Sequence, residues 1–378
     1  MKTHSLFLTL KVFSATGGIE KVCRIAGKAL HEINLQEGGR TDIYSMHDRQ
    51  QDAAGNTYFP DDIFTGFGAV KIKFVLKAVM LGRKMDVIIL SHINLLLVGW
   101  LIKIIHPKVK LIMIAHGIEV WEKQPWYKII KLRYCDLILP VSAFTGDVMV
   151  KKHGIDPAKM QVLNNCLDPN LPIWIKTDKD PQLLKRYGFS ESDQIIFTLT
   201  RLSAGEKYKG YDKVIEAMEA LVKNNPQLKY LIAGKYDTEE KSRLDKLIAV
   251  KKLGDHIVFA GFVPDDELAA HFNLATLYVM PSRKEGFGIV FIEAMHYGLP
   301  VIAGNQDGSV DALAYGEFGL LVDPTDSAAI SQAIEKVLNH LFNYQPNHNA
   351  LMKRFGYGRY KERLKEMVGG WSPKRYLK

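Results

Sequence analysis

Cysteine is almost missing from this chain. Its three cysteines, Cys23, Cys135 and Cys166, are far apart, odd in number and without metal-ligand spacing. That argues against a disulfide framework and a zinc site, and it fits a reducing cytoplasm. Long apolar runs are scarce too. Residues 87–105 come nearest, but they carry Ser91, His92, Asn94, Gly99 and Lys103, whereas a membrane-spanning helix needs about 20 predominantly apolar residues. The stretch reads instead as a buried strand, a polar turn and a buried helix. The first fifteen residues read as a strand and a glycine turn, not as a signal peptide. The chain has no GxGxxG fingerprint after its first strand and no acidic residue closing the second, which disfavours a dinucleotide site. A DxD-type acidic cluster at a strand end is also missing. Asp265 and Asp266 read as a helix cap, and Asp61 and Asp62 lie in a loop. No metal site is therefore expected, and no cofactor beyond a substrate.

What the chain does have is length and an ordinary globular balance. Its 378 residues exceed the roughly 250–300 at which one core stops growing, so two domains are expected. Hydrophobic residues make up 47% and charged residues 24%, which excludes wholesale disorder. The net charge of +9 is uneven: residues 1–172 hold 22 Lys and Arg against 15 Asp and Glu, the remainder 28 against 26. A basic N-terminal half suits an anionic partner, such as a phospholipid surface or a phosphorylated acceptor, and equally suits a solvated basic face.

Apolar runs and helical periods alternate along the chain, the pattern of parallel sheets with crossover helices. Strands are expected at 6–10, 42–45, 87–90, 111–115, 137–140 and 161–163, with helices after the first glycine turn and over 72–81. Residues 47–62 read as a loop. Residues 168–181 hold three prolines and no period, as an interdomain linker does. A second series follows, with strands at 195–199, 230–233, 257–259, 277–280 and 301–302. Its helices are expected at 211–224, 239–253, 266–273, 289–296 and 327–341. A charged amphipathic helix over 352–367 closes the chain.

The richest segment is 282–303, SRKEGFGIVFIEAMHYGLPVIA. Glu285 stands in a glycine turn after an apolar strand, and Glu293 lies inside the helix that follows. Gly286 and Gly288 permit close backbone approach. The helix start offers free N–H groups to an anion. A carboxylate in the turn can accept from sugar hydroxyls, and one a little over two turns away can reach a ribose diol. A second cluster follows the strand at 195–199: Arg201, then Lys207 and Lys209 before Gly210. These cations can clamp a diphosphate. Gly17 and Gly18 follow the first strand and would turn backbone N–H groups toward a phosphate. His116 ends another strand.

The segment from Glu285 to Ala303 resembles the Glu-x7-Glu signature of the retaining glycosyltransferases of family 4, which have the GT-B fold. GGIEK at 17–21, HGIEVW at 116–121 and TRLSAGEKYKGYDKVIEA at 200–217 resemble further motifs of that family, in the expected order. The resemblance implies an α/β chain of two Rossmann-like domains facing across a cleft: an acceptor domain at 1–170, a nucleotide-sugar domain at 171–350, and a helix at 351–378 returning to the first. It implies a hexosyltransferase that retains configuration without a covalent enzyme nucleophile, working in glycan biosynthesis; metal independence is expected from the missing acidic cluster. His116, Arg201, Lys209 and Glu285 would be catalytic. Gly17, Gly18, Lys207, Gly234, Gly286, Phe287, Gly288, Ile289 and Glu293 would bind the donor. The family's lysine precedes the glycine, which points to Lys209, but the loop is longer than usual and Lys207 stays open.

Ser142 and Thr145 resemble another family stretch and also suit a helix cap. Glu119 would orient His116 or meet the acceptor. Asn164, Asn165 and Asp168 read as hinge or turn residues. The expected partners are a nucleoside-diphosphate sugar, a saccharide or lipid-linked acceptor, and an anionic membrane surface, with no nucleic acid. The place expected is the cytoplasm, peripheral on the inner membrane face. Residues 72–84 and 126–133 mix apolar and cationic side chains as a peripheral helix does, and as a core helix with a basic rim also does. Two other readings stay open: a nucleotide-sugar epimerase or phosphorylase of the same fold, and a non-catalytic protein that binds sugar nucleotides or membranes.

Overall fold

Each half of the chain builds one layered α/β unit, because apolar strands buried on both faces alternate with helices that carry one apolar stripe. The computed structural model describes residues 2–175 and 177–369. In chain order the first unit runs β1 (His4–Thr9), α1 (Gly18–Gln36), β2 (Arg40–Ser45), β3 (Phe64–Gly66), α2 (Lys71–Gly82), β4 (Val87–Leu90), α3 (Leu96–Ile105), β5 (Lys110–Ala115), α4 (Ile118–Trp121), α5 (Trp126–Arg133), β6 (Leu137–Pro140) and α6 (Ala143–His153). The second runs α7 (Pro181–Tyr187), β7 (Gln194–Leu199), α8 (Tyr211–Asn224), β8 (Leu228–Ala233), α9 (Thr238–Lys251), β9 (Ile257–Gly261), α10 (Leu268–Leu274), β10 (Leu277–Met280), α11 (Ile289–His296), β11 (Val301–Gly304), α12 (Ser309–Ala312), β12 (Leu320–Val322), α13 (Ser327–Asn339), α14 (Leu341–Tyr344) and α15 (His348–Phe355). The last described element is α16 (Tyr357–Gly369).

The first sheet has the order β3-β2-β1-β4-β5-β6 and the second β12-β11-β10-β7-β8-β9. Every strand pair in both is parallel. In each sheet the chain starts in the middle, winds to one side, then returns and winds to the other. The reversal leaves a switch point between β1 and β4 in one sheet and between β7 and β10 in the other. Ligands of open parallel sheets bind at such points, at the carboxyl ends of the strands.

Right-handed crossovers place helices according to the direction of travel. In the first unit α1 steps outward from β1 to β2, whereas α2, α3 and α5 travel the opposite way and cover the other face. Phe74, Ala78, Ile102 and Leu132 pack from that layer onto Leu6, Ile88, Leu111 and Ile138 of the sheet. In the second unit Val214, Met218, Leu221, Ile330 and Ile334 pack onto Ile196, Tyr230, Leu277 and Ile302.

Residues 2–170 form one unit, the described residues between Leu171 and Arg354 the other, and residues 355–369 pack with the first. α16 lies along α1, held by Lys361–Glu32 at 2.8 Å and Lys365–Glu37 at 3.2 Å. Its end is closed by buried Lys110, whose Nζ donates to the Met367 carbonyl at 2.7 Å. The expected single helix over 352–367 is in fact two, broken at Gly356, whose carbonyl opens the second by accepting from Tyr360 N–H. The helix expected over 327–341 likewise ends at Asn339 and resumes at Leu341. Residues 161–163 do not form a strand: Gln161 and Leu163 donate to Ile138 and Pro140 of β6, but no ladder continues beyond a single bridge. Asp265 and Asp266 lie in the turn before α10 and do not cap it; the position before its first residue is Glu267. Among the described residues no helix is long and apolar enough to cross a membrane.

Candidate functional site

In the second unit the loops that carry Arg201, Lys209 and Glu285 flank the switch point. Strand β7 ends at Leu199 and the chain enters a loop through Arg201, a 3-10 turn over Ala204–Lys209 and then α8. Across the switch point β10 ends at Met280 and the turn Ser282–Gly288 leads to α11. The Arg283 N–H donates to the Tyr208 carbonyl at 2.8 Å, which ties the two loops together. Lys209 Nζ then forms a direct ion pair with Glu285 Oε2. Both side chains are largely buried, at 16% and 19% exposure. Burial opposes the Lys209 charge, but Glu285 beside it prevails and holds the ammonium above its ordinary pKa.

Lys207 faces elsewhere. Its Nζ is 3.9 Å from Glu240 on α9, a fully buried carboxylate also held by Arg243 at 2.6 Å and the Tyr211 hydroxyl at 2.9 Å. Arg201 is 64% exposed and pairs with Glu206 at 3.2 Å. The structure thus joins Lys209 to Glu285 and separates Lys207 from both. Tyr208, which the sequence reading passed over, sits among the charged residues: its ring lies 5.5 Å from Lys209 Nζ. Burial raises its phenol pKa, while the charges of Lys209, Glu206, Glu285 and Arg201 all act on it.

A second missed residue, Asp307, supports the Glu285 turn from below. It follows β11, is buried, and accepts from Glu285 N–H at 2.7 Å, Ser282 Oγ at 2.7 Å and Ser309 N–H at 2.9 Å. Burial pushes its carboxyl up to about 6 despite those donors. Gly308 completes the latch by donating to the Glu285 carbonyl at 2.8 Å. At the far end of the turn, Gly288 holds φ +86° as the residue before α11, and a Cβ there would lie 2.4 Å from the Phe291 ring. No side chain caps α11, and while the Phe291 N–H donates to the Gly288 carbonyl at 3.0 Å, the helix start presents its positive dipole end at this turn. Phe287 and Ile289 are buried beside them, and Glu293 is buried in the middle of the helix. Gly234 follows β8 directly, against the Thr200 carbonyl.

In the first unit a separate cluster forms at the β1/β4 switch point. The turn after β1 is pinned by Asp48, a buried carboxylate that accepts from Val12 N–H at 2.6 Å, Ser14 N–H at 2.8 Å and Ser45 Oγ at 2.5 Å. Gly17 precedes α1, which has no side-chain cap, and the space beside Gly18 is open. His116, at the end of β5, donates from Nε2 to the Ser91 carbonyl at 2.8 Å. Because a carbonyl can only accept, the proton is on Nε2 and the lone pair on Nδ1. Burial lowers its pKa to about 4, so the ring is neutral. Glu119 accepts from the His116 backbone N–H at 2.6 Å and so fixes the main chain, not the ring. Burial raises the Glu119 carboxyl pKa. Ser142 accepts from Thr145 N–H at 3.1 Å and caps α6, with the Thr145 hydroxyl engaged by the Trp121 indole. Asp168 accepts from the Tyr58 hydroxyl at 2.6 Å and from Asn170 N–H, as a turn residue. Among the described residues there is no group of three or more His, Cys, Asp or Glu placed to hold a metal ion.

Comparison with known proteins bears on the family and the fold. The model of the glycosyl transferases group 1 matches residues 180–357, and that of Glycosyltransferase Family 4 matches 16–171. Mannosylfructose-phosphate synthase of Agrobacterium fabrum is 28% identical over 57% of this chain and 47% of its own length. The GDP-mannose-dependent alpha-(1-6)-phosphatidylinositol monomannoside mannosyltransferase of Mycobacterium tuberculosis is 31% identical over 59% of each. The chain thus spans about half to three fifths of the curated relatives it matches. The structure of HepE from Anabaena in complex with UDP aligns over 97% of this chain and all of that one, with a TM-score of 0.80 at 19% identity, which shows the fold. Two parallel six-stranded sheets, each with its loops gathered at a switch point, and two family models that between them take in both halves, place the chain in the group 1, family 4 glycosyltransferases of GT-B fold.

Proposed function

We propose that the chain transfers a hexosyl unit from a nucleoside-diphosphate sugar to a saccharide or lipid-linked acceptor, with retention of configuration. The observation that carries this is the Lys209–Glu285 pair at the β7/β10 switch point. A buried cation and a buried carboxylate held side by side suit a donor that is anionic at one end and hydroxylated at the other. Lys209, Arg201 and the uncapped start of α11 neutralise the departing diphosphate, and Glu285 accepts from sugar hydroxyls. Glu293 takes the ribose. The acceptor oxygen bonds to the anomeric carbon on the face from which the nucleoside diphosphate leaves, so configuration is kept; the acceptor's proton passes to the departing phosphate oxygen, and catalysis is electrostatic stabilisation and positioning. In this reading the cations do the work that a metal does elsewhere. In the first unit His116, neutral with its lone pair on Nδ1, can accept from a sugar hydroxyl, and the N–H groups at Gly17 and Gly18 suit a phosphate. The names of the relatives support the reading, since one is a mannosylfructose-phosphate synthase and the other a phosphatidylinositol monomannoside mannosyltransferase. A lipid-linked acceptor would bring the enzyme to a membrane, on its cytoplasmic face.

The test is a thermal-shift series with UDP, GDP and ADP. The Anabaena neighbour was solved with UDP and the mycobacterial relative is named for GDP-mannose, so both bases are live. A nucleotide at 100 times its dissociation constant stabilises by about 2.7 kcal/mol. The expected result is a shift with one base that Lys209→Ala abolishes. No shift with any nucleotide ends the proposal, and in a separate incubation with nucleotide sugar alone an isomerised sugar replaces transfer with epimerisation.

A further inference from the structure

The outer surface of the α2–α3–α5 layer in the first unit is apolar where a solvated helical layer is polar. α2 already has an inward stripe, Phe74, Ala78 and Gly82, and this packs on the core. It carries a second stripe, one residue in four, on the opposite side. Ile72 is 76% exposed, Leu76 60% and Met80 63%. A core helix with a basic rim has only the inward stripe. The pattern continues on the neighbours. α3 lies between α2 and α5, and it exposes Leu97, Ile104 and Ile105. α5 exposes Trp126, Tyr127 and Ile130, with Tyr134 just beyond, and Trp126 stands 74% in solvent.

Charge singles out the partner. The three helices together carry Lys71, Lys73, Lys77, Lys103, Lys128, Lys131 and Arg133 and not one acidic residue. Lys103 is taken up by Asp136 at 2.7 Å. Lys131 Nζ lies over the rings of Trp100 and Tyr127, at 5.3 and 5.1 Å. An apolar stripe flanked by lysines, with amphipathic aromatic rings beside it, matches the boundary between acyl chains and anionic headgroups.

We propose that this face docks on an anionic lipid bilayer, with Ile72, Leu76, Met80 and Trp126 entering the headgroup layer and the flanking lysines meeting lipid phosphates. The inference deepens the glycosyltransferase reading by locating where a lipid-linked acceptor is met, but docking needs no donor, so the two can fail separately.

The experiment uses the full chain without nucleotide. It is sedimented with phosphatidylcholine vesicles containing or lacking phosphatidylglycerol, at about 0.01 M and about 1 M salt, where the screening length falls from about 30 Å to about 3 Å. Binding is expected only to the anionic vesicles, strongest at low salt. Lys73→Glu with Lys77→Glu should weaken it about tenfold or more. Ile72→Ser with Leu76→Ser should weaken it at both salt concentrations while leaving transfer to a soluble acceptor unchanged. These side chains are exposed, and far-ultraviolet circular dichroism controls for folding. Brominated lipid should quench fluorescence in the wild type and much less in Trp126→Phe. Equal binding by wild type and the double variants, or no binding at low salt, overturns the proposal. So does a dimer that Ile72→Ser with Leu76→Ser dissociates, because the face would then belong to a second copy.

Discussion

Lys207 and Lys209 stand two positions apart and serve different carboxylates. Lys209→Ala should cost about 10²–10³-fold in turnover, the usual loss on removing one preorganised contact to departing charge. Lys207→Ala, whose side chain is half exposed and whose partner keeps Arg243, should change turnover by less than about threefold. Steady-state kinetics on the two variants decide it, and equal losses would put the diphosphate lysine in doubt. His116 makes a different prediction. Its folded pKa of about 4 lies below the ordinary 6.5, so the unfolded chain takes up the proton first. The stability it contributes is complete above pH 6.5 and drains away as pH falls toward 4, by up to about 3 kcal/mol. Urea unfolding across that range should show the loss in the wild type, and His116→Gln should lack it. Asp307→Ala should destabilise the second unit by at least about 1–3 kcal/mol, since three donors lose one shared acceptor; an unchanged denaturation midpoint would sink the latch. Asp307 could not be read from the sequence. It stands in a run, NQDGS, that has the composition of any turn, and only folding brings it beneath a loop 22 residues earlier.

Elements were legible in proportion to their length and burial. β4, β6 and β10 and the helices α8 and α11 fall where the apolar runs and periods place them, because each is bounded by turn chemistry on both sides. β3 and β12 were missed: at three residues each, sheet-edge strands contain too few positions to show a pattern. The error at 161–163 has the opposite cause, since an extended segment beside an edge strand has the composition of a strand without a ladder. The break at Gly356 was hidden because the apolar period resumes after it. The turn before α11 offers the prediction at this scale. Gly288→Ala places a methyl group at φ +86° and against Phe291, so it should destabilise by about 1–3 kcal/mol, read as a lowered melting temperature, and weaken nucleotide binding with it.

For the whole molecule, alternation of strands and helices conveyed two parallel sheets, and the proline-rich stretch marked their junction. The exposed second stripe of α2 was ambiguous in sequence, because periodicity reports two apolar faces without saying which one the core takes. The junction gives the last prediction. Ile173 and Ile175 are 89% and 71% exposed, so limited thermolysin digestion should cut beside them first. The products should separate on a denaturing gel yet elute together from a native column, because α16 stays on α1. Cleavage scattered over both units instead would show that this segment is protected.

That last helix has a consequence for how the protein is made. The first unit is begun at the amino terminus, yet its outer layer over α1 is finished only when residues beyond Phe355 leave the ribosome. The nascent chain must carry α1 with its partner surface open through synthesis of the entire second unit. A nonsense mutation between the codons for Phe355 and Val368 therefore strikes the half of the protein that was translated first.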